Sequence, residues 1–471
     1  MTDYSDQIQR IQTKLITAQK TDTKLQVFGA DSHKYKIKKP VTEATVLKFE
    51  QQFTIQLPEC YRTFITEVGN SGVGYANAAP GPYYGIYPFG ENVDELIEEK
   101  PEKYLKNNCL IYPKITDNDW YALTKNIDEN DSISDIDYEI ELGKIFGGIL
   151  PIGSQGCTYI HGLVLNGQHK GRIINLDANR QKPYFSFEDN FLDWYERWLD
   201  EVISGELIAN SHYSFGFYKG GSEEVLWNAY LSSADTEEKK DCLQGLLQKN
   251  RLQDQTLMQI ENHITSNPEQ KTAFVQLICK SDYEKAKPHL ETLVTTDQLS
   301  VFQFIFWYAK DKSEEWLNVI TATIDTIQDE ETFRFCTYIL TATNNDYGNL
   351  IVPFTKNENV AIRIQAYYTL GQLKNKKDFL STFTVGLYDS SNHVIRTTLQ
   401  ALSGVKDDSL LEHFQNLVQR FPKEQDSILV NLNHRLTEYN HPKQLVMQNN
   451  TVSLTVPAKK KWYVFWKKDQ S

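Results

Sequence analysis

Polar and apolar positions alternate with two different periods along this chain, and the switch between them marks its organisation. Between residues 5 and 20, Ile8, Ile11, Leu15 and Ile16 fall on one side of a polar stretch, which predicts an amphipathic helix. Residues 21–40 are basic, break before Pro40 and read as a lead-in. Val46, Phe49 and Phe53 predict a second helix, with Thr42 as its N-cap. A third starts at Pro58 and carries Tyr61, Phe64, Ile65 and Val68 on one face, with Gly69 closing it in the left-handed conformation.

The period then shortens. Residues 149–152, 157–165 and 171–176 are rich in β-formers, and Asn166-Gly167 predicts a hairpin between the last two, with a loop longer than two residues. Phe191, Tyr195, Trp198, Leu199 and Val202 return to helical spacing, preceded by Ser186 and Asp189 in the manner of a capping box, and Ser204-Gly205 marks a stop. Beyond a glycine-containing linker the pattern is helical from about residue 223 to 436. Residues 354–373 and 387–406 match at an offset of 33: Ile362-Arg363 answers Ile395-Arg396 and Asn359 answers Asn392. That pair resembles HEAT-like repeats, in which each helix pair buries one face only by stacking on its neighbours. Earlier helices are expected at 268–280, 298–309, 313–328 and 330–343. Arg363 and Arg396 stand where such a ladder pairs arginine with a neighbouring acid.

At 471 residues the chain exceeds one core and fits two or three domains. Its formal charge of -13 is uneven: about +4 over residues 1–40, about -13 over 41–220 and about -4 over the remainder. The central acidic region would repel a phosphate backbone, so nucleic acid is not expected as a partner and a basic protein is. Cys60, Cys109, Cys157, Cys242, Cys279 and Cys336 are scattered, without metal-ligand spacing, which suggests free thiols in a reducing compartment. The first residues carry no apolar signal core and no stretch approaches a membrane span, so a cytoplasmic location is expected. No cofactor is expected.

Candidate chemistry is sparse. Asp117, Asp119, Asp128, Glu129, Asp131, Asp135, Asp137, Glu139 and Glu141 concentrate negative charge, and either a solvated insertion or a docking surface for a basic partner accounts for them. Asp128, Asn130, Ser132, Ser134 and Glu139 have calcium-loop spacing, but Ile133 stands where the sharp turn needs glycine. Cys157 with His161 invites a thiolate reading; four residues apart on one strand they would be about 13 Å from each other, too far for direct activation. At the far end, Lys459, Lys460 and Lys461 with Lys467 and Lys468 bracket Trp462, Tyr463, Phe465 and Trp466. That tail predicts a short strand pair, a docking tail or weak membrane-surface contact.

After Gly69 the chain interleaves Gly72, Gly74, Gly81, Gly85 and Gly90 with Tyr75, Tyr83, Tyr84, Tyr87 and Phe89, which suits either a recognition loop or a packed connection. The LPECYRTFI helix, this loop ending in GIYPF, the LPIG strand opening, the hairpin and the FLDW closing helix together resemble the SUKH superfamily of Smi/Knr-like proteins. The resemblance covers about residues 40–205, with 118–142 fitting it least. It implies an α+β domain, mostly antiparallel sheet with flanking helices, that binds and neutralises a protein toxin without chemistry of its own. The expected order is an N-terminal helix and basic lead-in (1–40), the SUKH-like α+β domain (41–205), a linker (206–222), a HEAT-like α-solenoid (223–445) and the tail (446–471). Tyr75, Tyr83, Tyr84, Tyr87, Asp117, Asp119, Asp128, Asp131, Asp135, Asp137, Glu139 and Glu141 are the candidate contact residues for a basic toxin domain. A regulatory scaffold using the helical surface, and a hydrolase using Cys157, are the alternatives.

Overall fold

Ile149–Gly156 (β1), Tyr159–Val164 (β2), Ile173–Asp177 (β3) and Tyr184–Phe185 (β4) pair in sequence order, antiparallel throughout. They form the centre of the first of two compact units, Met1–Ser266 and Asn267–Ser471, in a computed structural model that describes residues 3–98, 100–209 and 215–439. The tail containing Trp462 to Trp466, and residues 210–214 of the expected linker, lie outside the described residues.

Opposed residues of neighbouring strands point to the same side, as the period of two requires. Leu150, Ile152, Leu163 and Ile173 face one core; Ile149, Ile160, Val164, Ile174 and Leu176 face another. The sheet is therefore covered on both sides, which is why its strands read as near-continuous apolar runs.

The first side is covered by the helix Phe191–Ile203, by Glu59–Thr63 with its continuation Phe64–Val68, and by Ser5–Thr21. Phe191, Trp194, Tyr195, Trp198, Leu199 and Val202 are all buried there, each contributing about 1.5–3 kcal/mol of burial. Ile8, Ile11, Leu15 and Ala18 join the same core, so the N-terminal helix is part of this packing; Ile16 points outward, and Ala18 takes the inward position expected of it.

Three local expectations are corrected. The last turn of the helix begun at Glu59 widens to π spacing over Phe64–Val68, with the Gly69 amide bonding back to Phe64 O, and Gly69 is extended, not left-handed. Its missing side chain matters because a Cβ there would lie 2.5 Å from Lys38 O. Asn190, not Ser186, caps the helix Phe191–Ile203, accepting from the amides of Leu192 and Asp193. Residues 153–156 are strand, not turn, and the β1–β2 connection is only Cys157 and Thr158. Thr42 caps Glu43–Phe53 as expected.

The helical stretch begins inside the first unit with Glu223–Ser232, Thr236–Gln248 and Asp254–His263. Lys114 with Asp241 at 3.0 Å and Lys249 with Glu206 at 2.8 Å tie it to the preceding elements. In the second unit, Lys271–Ser281, Gln298–Tyr308, Glu330–Ala342, Val360–Gly371, Asn392–Ala401 and Ile428–Thr437 pack each on the next, with other short helices between them. That one-dimensional stacking is the arrangement of an all-α solenoid.

Candidate functional site

The acidic segment is built on two capped helices. Thr116 accepts from the Asp119 amide and starts Asp117–Asp128; Ser134 accepts from the Asp137 amide and starts Asp135–Ile145. Trp120, Ile127, Leu142 and Ile145 face inward and cover the second side of the sheet. The acidic residues are thus the outer face of a structural layer. Asp117, Asp119, Asp128, Asp131, Asp135 and Asp137 are exposed, and Glu139 and Glu141 are half-buried.

Part of this charge is locally compensated. Asp117 pairs with Lys182 at 2.6 Å, Asp128 with Arg180 at 2.8 Å, and Glu141 with Lys144 at 2.5 Å. Hydrogen bonds from Tyr112 and Thr116 hold Asp119 below the usual carboxylate range, and the bond from Lys144 does the same for Glu141. Asp131, Asp135 and Asp137 form no ion pair among the described residues. The calcium-loop spacing does not converge: Asp128 is held by Arg180, Ser134 caps a helix, and Glu139 accepts from the Tyr104 hydroxyl at 3.2 Å.

The glycine-aromatic loop divides its tyrosines between core and surface. Tyr83 is buried against Phe28 and His161, with its hydroxyl donating to Phe215 O; Tyr87 is buried and donates to Glu95 at 2.8 Å. Neither ring offers the contact surface expected of it. Tyr75, 63% exposed, and the half-buried Tyr84 lie with ring centroids 6.2 Å apart and do reach solvent. The loop itself extends the sheet edge, because the amides of Tyr84 and Tyr87 donate to Ser154 O and Ile152 O of β1.

Cys157 sits exposed at the tip of the β1–β2 hairpin, not within a strand as expected. His161 is wholly buried: its Nδ1 lies 3.1 Å from Gln155 Nε2 and 3.2 Å from Asn175 Oδ1, and its ring packs on Tyr83 and Trp194. Burial pushes its pKa down to about 3. The imidazole is engaged in the core and is not presented to the thiol.

Two features were missed in the sequence. Ile136, 74% exposed, and Ile140 stand among the acids on the outer face; their i, i+4 spacing, distinct from the inward stripe of Tyr138, Leu142 and Ile145, was the available signal. Trp307 is 48% exposed, whereas the other five described tryptophans are buried.

The two covered sheet faces, the LPECYRTFI helix and the closing FLDW helix together describe one α+β domain, and comparison with family models identifies it. Residues 40–197 match the SMI1 / KNR4 family (SUKH-1). The SUKH-1 match therefore spans the sheet, the acidic layer on its second side and part of the layer on its first, but it ends inside the helix Phe191–Ile203 and leaves out the helix Ser5–Thr21, which packs into the same core, and the whole helical stretch. No curated protein matches the chain. Among the described residues no helix is long and apolar enough to cross a membrane.

Proposed function

We propose that this protein is a non-enzymatic immunity protein that binds a basic toxin domain and blocks it, acting in the cytoplasm. The SUKH-1 domain supports a protein-binding role, because family members are often immunity proteins and generally not enzymes. The observation that carries the reading further is the outward acidic face of Asp117–Asp128, Asp135–Ile145 and the connection between them, where Asp131, Asp135 and Asp137 stand free of ion pairs among the described residues. Such charge steers a cationic partner and speeds association. Tyr75 and Tyr84 would add contact area.

Co-expression with a toxin, should a neighbouring gene encode one, tests the reading. Deleting the segment is a poor test, since it would uncover one side of the sheet; Asp131→Asn, Asp135→Asn and Asp137→Asn leave that layer intact. Wild type should rescue growth and the triple variant should rescue less, with slower association at low salt. No rescue by wild type would overturn the reading.

A second reading makes the HEAT-like solenoid a scaffold surface. It is favoured by the exposed Trp307 with Phe306, Phe335 and Tyr338, whose rings form one cluster flanked by Lys310 and Arg334. Loss of partner capture on Trp307→Ala, with toxin rescue unaffected, would support it.

A further inference from the structure

Beside the exposed Ile136 is a cleft of about 430 Å³ lined by Glu98, Asp135, Ile136, Tyr138, Glu139 and Leu142. Its lining combines three carboxylates with three large apolar or aromatic side chains, and no lysine or arginine is among the described lining residues. Leu142 and Tyr138 belong to the core layer beneath, so the floor is fixed; Ile136 is left 74% exposed at the rim. Arg180, which donates to Tyr138 Oη at 3.3 Å, is already paired with Asp128. Glu139 accepts only the neutral Tyr104 hydroxyl. Glu98 lies outside the acidic run and reaches this place only through the fold.

We propose that this cleft receives one aliphatic side chain flanked by lysine or arginine, presented by a cationic amphipathic helix of a protein partner. The aliphatic group would cover Ile136 and Leu142, and the cations would meet Glu98, Asp135 and Glu139 at the rim. Apolar contact here supplies affinity, and the carboxylates supply orientation and rate. This rests on the toxin-binding reading and names the part of the toxin that is held.

The test uses the full-length protein and a fluorescent amphipathic peptide of leucines and lysines, with two twins carrying glutamate for lysine and serine for leucine. Anisotropy should show binding of the leucine-lysine peptide, weakened roughly ten- to hundredfold by Ile136→Ser and by the triple variant Glu98→Gln, Asp135→Asn, Glu139→Gln. A matched neutralisation of exposed acids in the second unit (Glu358→Gln, Asp408→Asn, Glu412→Gln) should leave it unchanged. Equal binding of the serine twin, or equal loss with the matched control, would reduce the effect to general charge attraction and overturn the proposal. Unchanged circular dichroism for Ile136→Ser excludes misfolding as the cause of a loss. A toxin held equally by wild type and Ile136→Ser overturns the cleft alone; a protein that binds the peptide through the cleft but rescues from no toxin overturns the neutralisation reading alone.

Discussion

Arg10 and Glu196 are joined by two hydrogen bonds of 2.8 and 3.0 Å across 186 positions of sequence. Lys14 adds a third at 2.9 Å and Gln7 a fourth at 3.1 Å, so the N-terminal helix is clamped to the closing helix of the SUKH-1 domain at one carboxylate. Burial alone would raise this carboxyl; the bonds from Arg10, Lys14 and Gln7 outweigh it and bring it down to about 2. Glu196→Gln should cost about 2 kcal/mol, since it removes charge-assisted bonds while leaving Lys14 close to Asp200. Urea denaturation of the full chain measures this. A change under about 0.5 kcal/mol would mean that the helix docks through Ile8, Ile11 and Leu15 alone.

Two buried histidines make the first compact unit acid-sensitive. Burial pushes His33 down to about 4 and His161 to about 3, from an ordinary value of 6.5. Above pH 6.5 both are neutral whether folded or not, and they add no pH dependence. Below it the unfolded chain takes up protons that the folded one refuses, so stability falls from pH 6.5 down to about pH 3–4. The loss should be on the order of 3 kcal/mol for each histidine, a large part of a typical 5–15 kcal/mol total. Glu196 works in the opposite range: its contribution is present above about pH 4.5 and is lost as pH falls through about 2. Denaturation at pH 7, 5 and 4, repeated on His161→Gln, should show a shallower slope in the variant.

Much of the domain was legible in the sequence because one face of each element is buried and the other is wet. Val46, Phe49 and Phe53 behind Thr42, and the stripe from Phe191 to Val202, needed nothing beyond spacing. The failures have a common origin in contacts distant in sequence. Residues 153–156 have the composition of a turn, yet Ser154 O accepts the Tyr84 amide and the segment is held as strand. Trp120 and Ile127 were hidden among acids, and only the sheet face they cover shows that the segment is a layer. Composition does not separate Tyr83 and Tyr87, which serve the core, from Tyr75 and Tyr84, which meet solvent. The cleft beside Ile136 requires Glu98, which no local pattern links to residues 135–142.

Gly85 and Gly167 separate two reasons for glycine. Both have positive φ, +95° and +76°. A Cβ at Gly85 would lie 2.1 Å from Ala79 O, in the pairing that closes the aromatic loop, whereas at Gly167 nothing lies within 4 Å. Gly167→Ala should cost only the backbone strain, about 1 kcal/mol. Gly85→Ala must also break the Ala79–Ile86 bridge, and should cost more than about 3 kcal/mol and disorder Tyr75 and Tyr84. Thermal melting ranks the two, and equal effects would refute the steric account.

In the second unit, Arg363 and Arg396 stand 33 residues apart in matching stretches of sequence but have different surroundings. Arg363 grips Asp389 with two bonds of 2.9 Å, and both side chains are only 12% exposed; it also donates to Asn357 O at 2.8 Å. The position 33 residues beyond Asp389 is Pro422, and Arg396 forms no ion pair among the described residues. The Arg363–Asp389 pair joins the helix Val360–Gly371 to the start of Asn392–Ala401, where Asp389 also accepts from the Ser391 amide at 2.8 Å. Arg363→Ala leaves Asp389 buried without its cation and should cost about 3 kcal/mol, whereas Arg396→Ala should cost under about 1 kcal/mol. Arg363→Lys keeps the charge but loses the paired geometry, and should fall between them. Amide hydrogen exchange over residues 360–401 reads the difference as a loss of protection of roughly a hundredfold for Arg363→Ala. Equal losses for both arginines would show that the repeat pattern, and not the Asp389 pair, determines what this position contributes.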